Sequence, residues 1–140
     1  MKTEGELQLD MLEALLETLP MDLTLIDADD RVIAWSESRI LFRIGDEVMG
    51  TDIRECHPER SMPALEKLLD DMKEGRIDST RTVKEVTKNG IVKRFLIQYL
   101  AIRDPENRYM GCLEMDMDLT DIPEPDSDGG KEYQESDQYP

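Results

Sequence analysis

Basic residues are scarce in this chain, and so are histidine, cysteine and aromatic residues. Against 33 Asp and Glu stand 17 Lys and Arg, a net charge of −16 over 140 residues. Such a surface repels phosphates, which argues against nucleic acid or an anionic membrane as partner. No apolar run approaches the roughly 20 residues needed to cross a bilayer. The opening Met1-Lys2-Thr3-Glu4-Gly5-Glu6 lacks a basic region followed by an apolar stretch. No signal peptide is therefore expected, and the expected location is the cytoplasm. There Cys56 and Cys112 are expected to be free thiols. They form no Cys-x-x-Cys pair, so a zinc site has little support. Glycine-rich phosphate loops and metal-binding carboxylate patterns are also missing, which leaves little support for an enzyme.

What the chain does have is an apolar fraction of 39%, enough for a modest core, and a length that fits one domain with tails. Its charge is uneven. Residues 121–140 hold seven acids, one base, three prolines and two glycines, with almost nothing apolar. Such a segment cannot offset its ordering entropy and reads as a disordered tail. A solubilising end is the plainer reading of it, and an interaction segment the other.

Residues 1–120 divide into periodic elements. Leu9, Leu12, Leu15, Leu16 and Leu19 fall at helical spacing, which predicts an amphipathic helix over about residues 6–19, ended by Pro20. Residues 21–27 and 31–36 read as a hairpin around the polar turn Ala28-Asp29-Asp30. Residues 37–54 read as short helical turns broken at Gly45 and Gly50. Ser61 looks like an N-cap, and Pro63 is tolerated in a first turn. Met62, Leu65, Leu68, Leu69 and Met72 form one apolar stripe, and Gly75 stops the helix. Residues 80–87 and 91–102 are predicted strands joined at Lys88-Asn89-Gly90. After a turn at Asp104-Pro105-Glu106-Asn107 comes a strand over 109–118. In it Leu113, Met115 and Met117 alternate with Glu114, Asp116 and Asp118, so one face is expected buried and the other wet.

This order, an α+β domain with five antiparallel strands and its helices gathered mid-chain, resembles a PAS domain over about residues 19–120. Asp27-Ala28-Asp29-Asp30-Arg31-Val32 resembles the opening PAS hairpin. Ile102-Arg103-Asp104 with Tyr109-Met110-Gly111 resembles the last one. Asp118-Leu119-Thr120 is similar to the Asp-Ile-Thr run that closes many PAS domains. Leu19-Pro20-Met21-Asp22-Leu23-Thr24, Cys56-His57-Pro58 and Ser61 resemble the PAS subfamily found at the C-terminus of hemerythrin-like (HHE) proteins, where the run reads Cys-His-Pro-Pro-x-Ser. Here Glu59 stands in place of the second proline. A chain with one histidine cannot carry the His-rich di-iron site of hemerythrin itself. The expected organisation is an N-terminal amphipathic helix over 1–19, a PAS domain over 20–120 and a disordered acidic tail over 121–140. It implies sensing or interaction: a small ligand between sheet and helices, or a homodimer and partner contacts through the sheet and the N-terminal helix. No kinase, cyclase or DNA-binding helix pair follows, so the expectation is a stand-alone module signalling through a separate protein or by self-association. The Asn-Cys-Arg-Phe-Leu-Gln motif of flavin photoreceptors is missing, which disfavours flavin.

The candidate site residues each have two readings. His57 is either an axial haem ligand, as the resemblance allows, or a structural residue hydrogen-bonding the loop before the central helix. Cys56 is either a thiolate ligand or redox sensor, or a buried inert thiol; Glu55 and Glu59 nearby favour the inert one. Arg39 and Arg43, four apart, either hold a carboxylate ligand or pair with surplus acids. Trp35 either packs in the core, with Phe42, Tyr99 and Met110 expected nearby, or lines a pocket.

Overall fold

The computed structural model describes residues 3–36 and 46–123. Its elements run α1 (Leu9–Thr18), β1 (Asp22–Asp27), β2 (Val32–Trp35), three 3₁₀ turns (Asp46–Val48, Ile53–Cys56, Glu59–Ser61), α2 (Met62–Lys73), β3 (Ser79–Lys88), β4 (Ile91–Arg103) and β5 (Tyr109–Asp118). The strands form one five-stranded antiparallel sheet in the order β2-β1-β5-β4-β3. The long central connection returns the chain from one side of the sheet to the other, which places the last strand, β5, in its middle.

Local chemistry accounts for the turns. Asn89 and Gly90 both have positive φ, +52° and +76°, the backbone that a two-residue hairpin turn demands. Asp104 closes the β4–β5 turn by accepting hydrogen bonds from Glu106 N (3.0 Å), Arg108 N (2.9 Å) and Arg108 Nε (2.7 Å). Asp30, at φ +63°, closes the β1–β2 turn, and its carbonyl accepts from Ile53 N at 2.9 Å.

α2 lies across one face of the sheet. Its buried Leu65, Leu69 and Met72 meet Ile26, Val32, Ile53 and Cys112, with Met62 and Leu68 partly buried beside them. Arg103 at the end of β4 ties the helix down by donating from Nη2 to the Met72 carbonyl, in the last turn of α2, at 2.7 Å.

Two expectations are corrected. Ser61 makes no side-chain cap bond and sits at φ −93°, ψ −11°. Pro58 starts a 3₁₀ turn over Glu59–Ser61 that runs straight into α2, so Ser61 is already inside the helical spiral. The sense of the β5 alternation is also reversed. Glu114 and Asp116 stand opposite Thr24 and Asp22 of β1 and Tyr99 and Ile97 of β4, on the face that α2 covers. Asp116 is 2% exposed and Asp22 is fully buried. Leu113, Met115 and Met117 point to the other face, where they align with Leu23 and Leu25 of β1 and with Leu96 and Leu100 of β4. Strand periodicity separates two faces but does not say which one the helix layer will cover.

α1 buries none of its own apolar stripe. None of its residues is buried, and Leu9 (70% exposed), Met11, Leu15 and Leu16 are open to solvent.

Candidate functional site

Between α2 and the inner face of the sheet lies a cleft. Ile26, Ile53, Leu65, Leu68 and Leu69 make its apolar walls, and Thr24, Tyr99, Cys112 and Glu114 its floor. The space enclosed in it is only about 10 Å³, room for about one water molecule. The floor is built by register: Thr24, Glu114 and Tyr99 stand side by side on β1, β5 and β4. The Tyr99 hydroxyl donates to Glu114 Oε1 at 3.1 Å. Burial, then the adjacent Glu114 carboxylate, push the Tyr99 phenol above its ordinary range, which keeps it a neutral donor. Burial also raises the Cys112 thiol to about 12, so it stays protonated.

A charged network borders the cleft. The Asp30 carboxylate, 5% exposed, accepts from Lys73 Nζ at 2.6 Å and from Arg54 Nη1 at 3.1 Å. Arg54 also forks onto Glu66 (2.6 and 3.0 Å) and bonds Asp52. The β1–β2 turn, the 3₁₀ turn and α2 are thereby joined through one guanidinium and one carboxylate. This network had no signal in the sequence, because Asp30, Arg54 and Lys73 are far apart along the chain.

The residues picked out from the sequence do not converge. Pro58 holds His57 extended, at φ −112° and ψ 143°. Its Nδ1 lies 3.0 Å from the Ile53 carbonyl; a carbonyl only accepts, so Nδ1 carries the proton. His57 is half-buried and does not line the cleft. Cys56 packs against the core. Burial is the largest effect on its thiol, and with the Glu55 charge it raises the thiol above its ordinary value despite a hydrogen bond with Thr51. Trp35 also packs against the core, as does Tyr99, while Met110 is exposed; Trp35 does not line the cleft. Arg39, Arg43 and Phe42 lie outside the described residues. Among the described residues no group of His, Cys, Asp and Glu could hold a metal ion. Nor do these residues fit a haem: the cleft is too small for a macrocycle, and His57 stands outside it. Sequence reasoning missed Thr24 and Glu114 as floor residues; only the strand register brings them together.

A model of the family described as the PAS domain matches residues 12–120. The chain belongs to the PAS domain family. Among solved structures it is similar to a C-terminal domain from Streptococcus mutans, at 21% identity and a TM-score of 0.73, covering 85% of this chain and 90% of that one. The PAS domain of a Colwellia psychrerythraea protein aligns at 15% identity and a TM-score of 0.59, covering 80% and 97%. The PAS domain of Bordetella pertussis BvgS aligns at 18% and 0.59, covering 81% and 88%. At these identities the likeness speaks for the fold alone. No curated protein matches the chain. PAS domains are generally sensory modules, and no enzyme family is indicated. Among the described residues, no helix is long and apolar enough to cross a membrane.

Proposed function

We propose that this PAS domain signals by association, as a homodimer that joins α1 to the outer face of the sheet. One observation carries the reading: this single chain has two apolar surfaces, one exposed on α1 and one half-buried on the sheet. One is the α1 stripe. The other is the outer sheet face, where Leu25, Leu113 and Leu100 form one row and Met117, Leu96 and Val83 another. Contiguous apolar patches of this kind mark association sites. The working environment is the cytoplasm, the output is a separate signalling protein, and neither nucleic acid nor membrane takes part. The acidic segment 121–140 is an appendage to the sensory unit. The likeness of Cys56-His57-Pro58 and Ser61 to the run of the hemerythrin-associated PAS domains supports reading the chain as one of that subfamily, with His57 in a structural role.

A second reading, a ligand sensor, draws on the cleft. Thr24, Tyr99 and Glu114 are convergent polar groups in an apolar niche, and a ligand larger than a water molecule would have to open the cleft by moving α2 from the sheet. Native mass spectrometry separates the two readings. Association predicts twice the chain mass of 16.2 kDa with nothing bound. A monomer carrying a reproducible small mass would replace the first reading with the second. An absorption spectrum of the same sample reports any haem or flavin directly.

A further inference from the structure

β4 outlasts its neighbour. Its pairing with β5 ends at Phe95 and Asp118, whereas its pairing with β3 continues to Lys88 and Ile91. The end of this hairpin is therefore a two-stranded ribbon projecting past the sheet. Residues 81–94 hold five bases, Arg81, Lys84, Lys88, Lys93 and Arg94, and one acid, Glu85. That is a net +4 in a chain of net −16. Strand parity puts Lys84, Val86, Ile91 and Lys93 on one face of the ribbon and Glu85 on the other. Val86 is 48% and Ile91 62% exposed.

The end of the described chain lies against this ribbon. Leu119 N donates to the Arg94 carbonyl at 2.8 Å, and Arg94 N donates to Thr120 Oγ1 at 3.2 Å. Beyond Pro123 follow seventeen residues with six acids, one base and two tyrosines, Tyr133 and Tyr139. From Arg94 to the Asn89-Gly90 turn is only about 15 Å at the rise of a strand, well within the reach of that segment.

We propose that the acidic segment 124–140 docks in cis on the basic ribbon face formed by Lys84, Val86, Ile91 and Lys93. Opposite charge supplies the attraction, and tethering makes the contact intramolecular, at an effective concentration on the order of millimolar. The segment so placed shields the exposed valine and isoleucine and occupies a surface that an acidic partner would otherwise use.

The test is NMR of the full ¹⁵N-labelled chain beside a variant in which Asp126, Asp128, Glu132, Glu135 and Asp137 become Asn or Gln. Docking predicts amide shift differences concentrated in residues 81–94. They collapse in about 1 M salt, where the screening length is about 3 Å. Unlabelled wild-type chain is then added in excess to the labelled variant. In cis docking leaves the variant's ribbon shifts unchanged. Recovery of the wild-type shifts would mean that a second copy supplies the segment, and would overturn the proposal. Ribbon shifts identical in the two chains would overturn it too, leaving the bases as charges that guard a sheet end.

Discussion

Asp30 holds a buried carboxylate between Lys73 and Arg54, and both cations are about one-third exposed. Removing the carboxylate leaves two cations beside the cleft with poorer partners and unties the β1–β2 turn from α2. Asp30→Ala is expected to lower stability by about 2 kcal/mol, less than for a fully buried pair because water still screens the cations. Urea unfolding measures it, and a change within error would show that the network holds nothing together. His57 belongs to the same corner. Its Nδ1–H to the Ile53 carbonyl secures the bend before α2, so His57→Ala should cost about 1–3 kcal/mol. Haem titration of wild type and variant is expected to give no saturable Soret band in either.

At the scale of elements, the backbone of β1 comes close to β5 at Gly111. A Cβ built there would lie 2.1 Å from the Ile26 carbonyl oxygen, a clash of backbone that no rotamer relieves. Gly111→Ala is expected to cost about 3 kcal/mol or more by forcing the two central strands apart, read from the melting temperature. The β4–β5 turn gives a pH signature. Hydrogen bonds from Arg108 and Glu106 hold the Asp104 carboxyl below the ordinary aspartate value, which is about 3.9. Between that lower value and the ordinary one the unfolded chain binds more protons than the folded one. Stability from this turn is therefore complete above the ordinary value and is lost as pH falls through the lower one. NMR titration of Asp104 should give a midpoint below that of an unfolded reference peptide; an equal midpoint would refute it. Much of this layer was legible in the sequence. Asn89-Gly90 marked its turn because few residues accept positive φ twice in succession. The stripe of Leu65, Leu69 and Met72 marked α2. The alternation over 109–118 marked a strand but gave its sense wrongly, because the acids lie under α2 while the leucines and methionines face out. The cap assigned to Ser61 failed because the turn that Pro58 begins reaches the helix first. The cleft floor was illegible, since Thr24, Tyr99 and Glu114 meet only through register.

The whole molecule presents an unusual distribution of polarity. Its cleft is partly acidic, and its outer sheet face, like α1, is apolar. Left wet, Leu9, Met11, Leu15 and Leu16 on the helix and the Leu113–Met115–Met117 row on the sheet would each cost hydrophobic free energy, about 25 cal/mol per Å² of apolar surface. Joining them across two copies removes both costs, and a helix that carries Asp10, Glu13 and Glu17 on its other side stays soluble. The most direct test of this account is light scattering on the wild-type chain and on two charge insertions, Leu16→Glu in α1 and Leu100→Glu on the outer sheet face. The account predicts a dimer mass for wild type and a monomer mass for both variants, with the circular dichroism of the folded domain retained. A monomeric wild type, or a dimer that survives both substitutions, would contradict it.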